Sequence, residues 1–369
     1  MRILELCLSP DFGGLEIHVV DFCFWLAKKR DVTLFVSVKD KSRLHNAFKN
    51  CRVPKLLLHP TPNPFPVLKA IKLARFIKEH SIEVVHIHWK KDLALASLAK
   101  ILSFNGFHLV HTRHMSLPGK KRDLYHRFVY KKVDCFIATT KRIERQAKEN
   151  LPLDNKKILQ VYLGVKPPHI LSEREKEILR KRFHLTDPFT IGLFGRITEF
   201  KGQHILIEAV NKLKNEGLAL KVVIVGHSMD PAYLDRLKQV VANKKLQNEI
   251  IFIGFYQDPT ALMQCVDILV LTTIRETFGL VLIEGMHAGV PVIGSDAGGV
   301  PEIIDHGITG MLFQSENAES LANSIKKLYG DQELRSRIAA EGKKKAEQYF
   351  NAETQYNKVI KCLSFEKCN

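Results

Sequence analysis

Short apolar runs alternate along the chain with longer stretches in which apolar side chains return every three or four positions. In the first half the runs are RILELCL, VTLFVSV, KLLLH, EVVHIH, LVHTRH, CFIATT and LQVYLG. Their length and their β-branched and aromatic content predict strands. Between most of them lie helical patterns such as HVVDFCFWLAKK and VLKAIKLARFIKEH. The latter spaces Val67, Ile71, Ala74 and Ile77 along one helix face. Strand–helix alternation of this kind predicts a parallel sheet covered on both faces.

The alternation breaks at GVKPPHILSEREKEILRKRFHLTDP, where two prolines, a highly charged helix and Asp187-Pro188 make a domain junction. A second series follows, FTIGLFGR, LKVVIVG, EIIFIGF, DILVLTT and VPVIGS, and the chain ends in charged helices from about Ala318. The expected architecture is α/β: two doubly wound Rossmann-like domains, 1–168 and 169–345, facing a cleft. A C-terminal helix within 346–369 is expected to pack back toward the first domain. Ligands of such sheets bind beyond the carboxyl ends of the strands. There is no internal repeat and no low-complexity tract, and the proline-rich PTPNPFP (60–66) is expected to be a rigid loop.

Composition narrows the class. The chain has 369 residues, enough for two cores, with 45% hydrophobic and 26% charged residues, as in ordinary soluble domains. No apolar run approaches the ~20 residues of a membrane span. The N-terminal MRILELCLSPDFGG is broken by Glu5 and lacks a small-residue cleavage site, so it reads as a first strand rather than a signal peptide. The 7 cysteines form no CxxC pair, which argues for reduced thiols in a cytoplasm. The net charge of +17 is unevenly placed: residues 1–150 hold 28 Lys and Arg against 13 Asp and Glu, a net +15, while 151–369 hold 28 against 26, a net +2. A basic half calls for an anionic partner: a lipid headgroup, a phosphorylated glycolipid or nucleic acid.

The motifs of dinucleotide oxidoreductases, P-loop NTPases, zincins and α/β-hydrolases are missing. Two strand ends carry chemistry instead. In GLFGRITEFKG, Gly195 lets backbone approach a ligand, and Arg196 and Lys201 can clamp adjacent phosphates. In RETFGLVLIEG, Glu276 and Glu284 flank a helix expected to start near Phe278, whose free N–H groups favour a phosphate or sugar oxygen. Carboxylates suit the paired hydroxyls of a ribose or hexose. Gly298-Gly299 follow in VPVIGSDAGGVPEII.

The Glu276-x7-Glu284 block, its glycine-rich sequel through Gly307-x-x-Gly310, the Gly13-Gly14 turn and GRITEFKG together resemble family-4 glycosyltransferases of the GT-B fold, over nearly the whole chain. The resemblance implies that Glu284 holds the nucleotide ribose. Glu276, with the backbone of Phe278, Gly279 and Leu280, would hold the donor sugar. Arg196 and Lys201 would neutralise the diphosphate, and Gly13 and Gly14 would bring first-domain backbone to it. It implies retention of anomeric configuration, with the acceptor proton passing to the departing phosphate and no tightly bound metal or other cofactor. A histidine after the fifth strand would lie near the donor sugar; His111 is favoured over His114 as that catalytic residue. Thr277 stands where the family often has Gly or Ser.

His86, His88, His111 and His114 are also four imidazoles at one sheet edge, a zinc-like group without the acidic pattern that usually accompanies it. Residues 113–134, RHMSLPGKKRDLYHRFVYKKVD, form a basic and aromatic stretch of the kind that lies on membrane surfaces. The expected activity is transfer of a hexose-type sugar from a nucleotide-sugar to a lipid-linked or phosphorylated glycan, in lipopolysaccharide core or surface polysaccharide synthesis. It would take place peripherally on the inner face of the cytoplasmic membrane. A nucleotide-sugar epimerase on the same fold and a basic nucleic-acid-binding protein are the alternatives. The second explains neither the paired glutamates nor the glycine turns, and no nucleic acid partner is expected.

Overall fold

The computed structural model describes residues 1–60, 63–104, 106–185 and 189–364. Thr61 and Pro62 of the expected rigid loop and Asp187-Pro188 of the expected junction lie outside the described residues. The chain divides into two compact units, Met1–Leu163 with Thr354–Asn369, and Gly164–Glu353.

The first unit holds β1 (Arg2–Cys7), β2 (Thr33–Lys39), β3 (Lys55–Leu58), β4 (Val84–Ile87), β5 (His108–Arg113), β6 (Cys135–Ala138) and β7 (Ile158–Gln160). They form one parallel sheet in the order β3-β2-β1-β4-β5-β6-β7. β1, β4 and β6 are buried almost end to end, which is why they read as continuous apolar runs rather than alternating ones. The helix Val67–Glu79 buries Ala70, Leu73, Ala74 and Ile77 in this core. Of the other two residues expected on that face, Ile71 is only half-buried and Val67, with Leu68 beside it, stays exposed (49% and 84%) in the first turn.

The second unit holds β8 (Phe189–Phe194), β9 (Leu220–Val225), β10 (Ile250–Gly254), β11 (Ile268–Leu271), β12 (Val292–Ser295) and β13 (Met311–Phe313). Its parallel sheet runs β10-β9-β8-β11-β12-β13. The three residues of β13 escaped the hydrophobic pattern because the run is too short to carry a period. The charged helix Glu173–Arg182 opens the unit behind a Ser172–Glu175 capping box. Each sheet reverses its strand order once, between β1 and β4 and between β8 and β11. Such a reversal leaves a crevice at the carboxyl ends, where no crossover helix covers the backbone.

The boundary between the units falls at Leu163/Gly164 rather than after 168. Gly164 fits because the backbone of Ala352 passes where a Cβ would be, 2.5 Å from its Cα, and Val165 bridges Asn351 beside it. The last helix, Ala352–Leu363, then supplies Tyr356 to the first unit. Its ring packs against Phe22, Trp25 and His18 at centroid distances of 5.2, 5.4 and 5.6 Å. Tyr356 is fully buried. Tyr356→Ala should cost about 3–5 kcal/mol of stability, read as a lower denaturation midpoint; a change under 1 kcal/mol would show that this helix does not complete the core.

Candidate active site

The crevice of the second unit lies where β8 and β11 end. After β8 the chain turns through Gly195 (φ +146°) and Arg196, forms a short turn at Glu199–Lys201 and enters the helix Gln203–Asn215 through Gly202 (φ +68°). Two threonines beyond β11 hold this turn: Thr272 Oγ1 donates to the Lys201 carbonyl at 2.8 Å and Thr273 Oγ1 to that of Phe200 at 3.1 Å. Ser295, ending β12, donates to the Thr273 carbonyl at 2.6 Å. These hydroxyls drew no notice in the sequence; the signal was three polar residues, each ending an apolar run. Lys201 is thereby aimed at Glu276, its Nζ donating to Oε2 at 2.8 Å in a partly buried ion pair.

Glu276 is fixed from the other side by glycine. At Gly298 (φ +65°) a Cβ would overlap the Glu276 carbonyl oxygen, and at Gly299 it would overlap that of Thr277. The Gly299 N–H donates to the Glu276 carbonyl at 3.3 Å. The chain then reverses at Gly279 (φ +107°), which caps the helix Leu280–His287. The helix therefore starts two residues later than Phe278, since a left-handed residue ends the loop rather than joining the helix. Phe278 itself is buried, edge-on to Phe350 at 5.9 Å. Leu280 and Glu284 are both half-buried on one helix face, a single turn apart, with the helix N-terminus and its partial positive charge above them. Arg196 is exposed, and its carbonyl accepts from Gln203 Nε2 at 2.9 Å. The unit thus gathers two carboxylates, two cations and a helix start at one sheet edge: groups that bind hydroxyls and phosphates.

In the first unit the β1–β4 reversal carries Gly13 and Gly14. Gly13 is an extended N-cap whose N–H donates to Glu16 Oε2 at 2.8 Å, and Gly14 is the exposed first residue of the helix Gly14–Leu26. Leu8 N–H donates to buried Asp92 at 2.9 Å. Burial pushes the Asp92 carboxyl up to about 8, against the pull of that bond, so the acid is largely protonated at neutral pH.

The histidines divide between the two faces of the sheet. His86 Nδ1 lies 3.0 Å and His88 Nε2 2.6 Å from Glu5 Oε2, both ring N–H groups donating to the carboxylate. His86 Nε2 meets Thr112 Oγ1 at 2.7 Å and His88 Nδ1 meets His114 Nε2 at 3.3 Å. The acidic member that the sequence pattern lacked is thus Glu5 on β1. Burial alone would raise Glu5, but the charge and hydrogen bonds of His86 and His88 outweigh it and hold the acid at about 2. Burial lowers His18 to about 3, His88 to about 4, and His111 and His114 well below the usual range.

His111 does not fit the role expected of it. It sits inside β5, fully buried, with its ring against Phe136 (5.2 Å) and Tyr130 (6.4 Å), on the face away from His86, His88 and His114. His114 is the histidine that stands just past the carboxyl end of β5. The basic stretch 113–134 is also helical only over Leu124–Tyr130; Asp123 caps it, and the preceding residues turn through Gly119 (φ +77°).

Two family models match the chain: "Glycosyltransferase Family 4" over residues 12–167 and "Glycosyl transferases group 1" over residues 175–345. N-acetyl-alpha-D-glucosaminyl L-malate synthase of Bacillus anthracis is 26% identical over 95% of this chain and 94% of its own length. The capsular polysaccharide biosynthesis glycosyltransferase CapM of Staphylococcus aureus is 29% identical over 50% of each. The crystal structure of Anabaena HepE in complex with UDP superposes with a TM-score of 0.87 at 24% identity, covering 99% of this chain and 100% of that one.

Two measurements test this geometry. Gly298→Ala should destabilise the protein by about 2–4 kcal/mol, because Glu276 must move, whereas Gly217→Ala, also at positive φ but with open space around it, should cost only about 1 kcal/mol; equal melting shifts would refute the contact. The lowered histidines give a pH dependence of definite sign. Above pH ~6.5 neither state is protonated; below it the unfolded chain takes up protons the folded one refuses, so stability falls by about 1.4 kcal/mol per pH unit per histidine down to pH ~4. His18→Phe should flatten denaturation midpoints between pH 6.5 and 4, and an unchanged slope would mean that His18 is not held neutral.

Proposed function

The chain belongs to the family-4 glycosyltransferases of the GT-B fold, and on that premise we propose that it moves a hexose-type sugar from a nucleotide-sugar to a lipid-linked or phosphorylated glycan, retaining anomeric configuration. The observation that carries the reading is the Glu276–Glu284 arrangement at the β8–β11 reversal, with Lys201 already on Glu276. In this reading the ribose hydroxyls donate to Glu284 and the sugar hydroxyls to Glu276. The diphosphate takes Lys201 from Glu276 and adds Arg196 and the N–H groups at Leu280. Departure of the nucleoside diphosphate develops negative charge that these fixed cations and the helix start stabilise, so no bound metal is required. The acceptor hydroxyl attacks from the departing side and gives its proton to the leaving phosphate. UDP is the first nucleotide to test, because HepE was crystallised with it.

Surface polysaccharide or lipopolysaccharide core synthesis is supported by CapM and by the charge of the first unit. No helix among the described residues is long and apolar enough to cross a membrane, and attachment from the cytoplasmic side by surface charge is the arrangement we propose. The malate synthase favours a second reading, a small soluble anionic acceptor.

Calorimetry with UDP, GDP, ADP and their common sugar conjugates in EDTA should find one nucleotide that binds. Glu284→Ala should weaken it by about 10–100-fold, the worth of hydrogen bonds to a charged group. Glu276→Gln should leave the bare nucleoside diphosphate bound while turnover falls at least as far. Unchanged affinity in Glu284→Ala would remove that residue from the site.

A further inference from the structure

Strand pairing sets Glu5 opposite His86 across β1 and β4, and His88, two residues on, shares the same face. All three side chains are buried, and Phe22 of the covering helix stands edge-on to the His86 ring at 5.9 Å. One ligand atom from each, a carboxylate oxygen and two imidazole nitrogens, lies within 4.8 Å of the others. The inner nitrogens, His86 Nδ1 and His88 Nε2, both face Glu5 Oε2. Among the described residues Glu5 has no Lys or Arg partner, so two imidazoles are all that oppose a carboxylate in the dry centre of an apolar strand. For stability alone, apolar side chains of the same volume would serve at least as well.

The outer nitrogens complete the case. A ring that gives one lone pair to a metal needs an acceptor for the N–H on its other nitrogen. His86 Nε2 has Thr112 Oγ1 at 2.7 Å and His88 Nδ1 has His114 Nε2 at 3.3 Å. Moving each ring proton from the inner to the outer nitrogen frees both inner lone pairs and releases no proton. Hydrogen bonding by itself does not close this cluster. His114 Nδ1 and His18 Nδ1, on rings 5.7 Å apart, are buried without a partner, and a network made only for hydrogen bonds has few such ends. Two imidazoles and one carboxylate suit zinc; calcium and magnesium take oxygen ligands. Bonds of about 2.0–2.2 Å ask only that the Glu5 carboxylate rotate outward from its present contacts. We propose that Glu5, His86 and His88 hold a zinc ion that ties β1 to β4 where the strand order reverses, with Thr112 and His114 as the acceptors that fix the two rings. The ion braces the first unit and supplies no step of sugar transfer, so the inference stands whether or not the transferase reading does.

Metal analysis of the full chain, purified without chelator and dialysed against zinc-free buffer, should find zinc in a one-to-one ratio. Stripping it with a strong chelator should lower the melting midpoint, and added zinc should restore it. Competition with a chromophoric chelator should show Thr112→Val, which keeps every ligand and loses only the outer acceptor of His86, weakening zinc about 10–100-fold. Glu5→Gln and His88→Ala should weaken it further, and His126→Ala, a histidine on the surface helix Leu124–Tyr130, should leave it unchanged. Thr112→Val keeps the test open should the ligand variants not fold. Cobalt(II) in place of zinc gives a positive signature: folded His88→Cys should show a thiolate-to-metal charge-transfer band in the near ultraviolet that the wild type lacks. A wild-type chain that holds no equivalent of zinc after titration, equal affinities in Thr112→Val and the wild type, or equal losses in His88→Ala and His126→Ala would each overturn the site.

Discussion

The loops after β11 and β12 in the second unit depend on one backbone contact, the passage of Gly298 against the carbonyl of Glu276. No side chain fits between them, so the loops after β11 and β12 pack backbone to backbone. That contact fixes where Glu276 points. It brings the carboxylate to Lys201, and Lys201 is itself placed by Thr272 and Thr273. Charge chemistry at this edge is thus arranged by glycines and hydroxyls, while the charged residues are the ones being positioned.

The Lys201–Glu276 pair also gives the site a stable arrangement of its own. Two half-buried charges left apart would each lose hydration without compensation. Paired, they neutralise each other at little net gain. A ligand that offers a phosphate to the cation and hydroxyls to the carboxylate replaces one satisfied arrangement by another, so its binding does not have to overcome two desolvation costs at once. A ligand offering only one of the two leaves the other charge without its partner.

Most of the fold was legible because parallel strands buried on both faces leave unbroken apolar runs, and β1, β4, β6, β8 and β11 each do. The Glu276–Glu284 block was legible too, since two acids in an apolar stretch need a reason. What escaped notice was whatever depends on distant neighbours. Glu5 looked like an interruption of a strand, and only the pairing of β1 with β4 shows it facing His86. His111 and His114 are three residues apart, but strand alternation sends them to opposite faces, and a motif that counts histidines near a strand end does not resolve which face each takes.

The first unit is assembled from sequence on both sides of the second. Residues Met1–Leu163 leave the ribosome early, but Tyr356, which their core encloses, follows only after the whole of Gly164–Glu353, about 190 residues, has been made. At ordinary rates of synthesis that interval is roughly 10–40 s. For that time the nascent first unit carries Phe22, Trp25 and His18 without their cover, and the later-made unit is the first to be complete. The order of maturation therefore runs opposite to the order of translation.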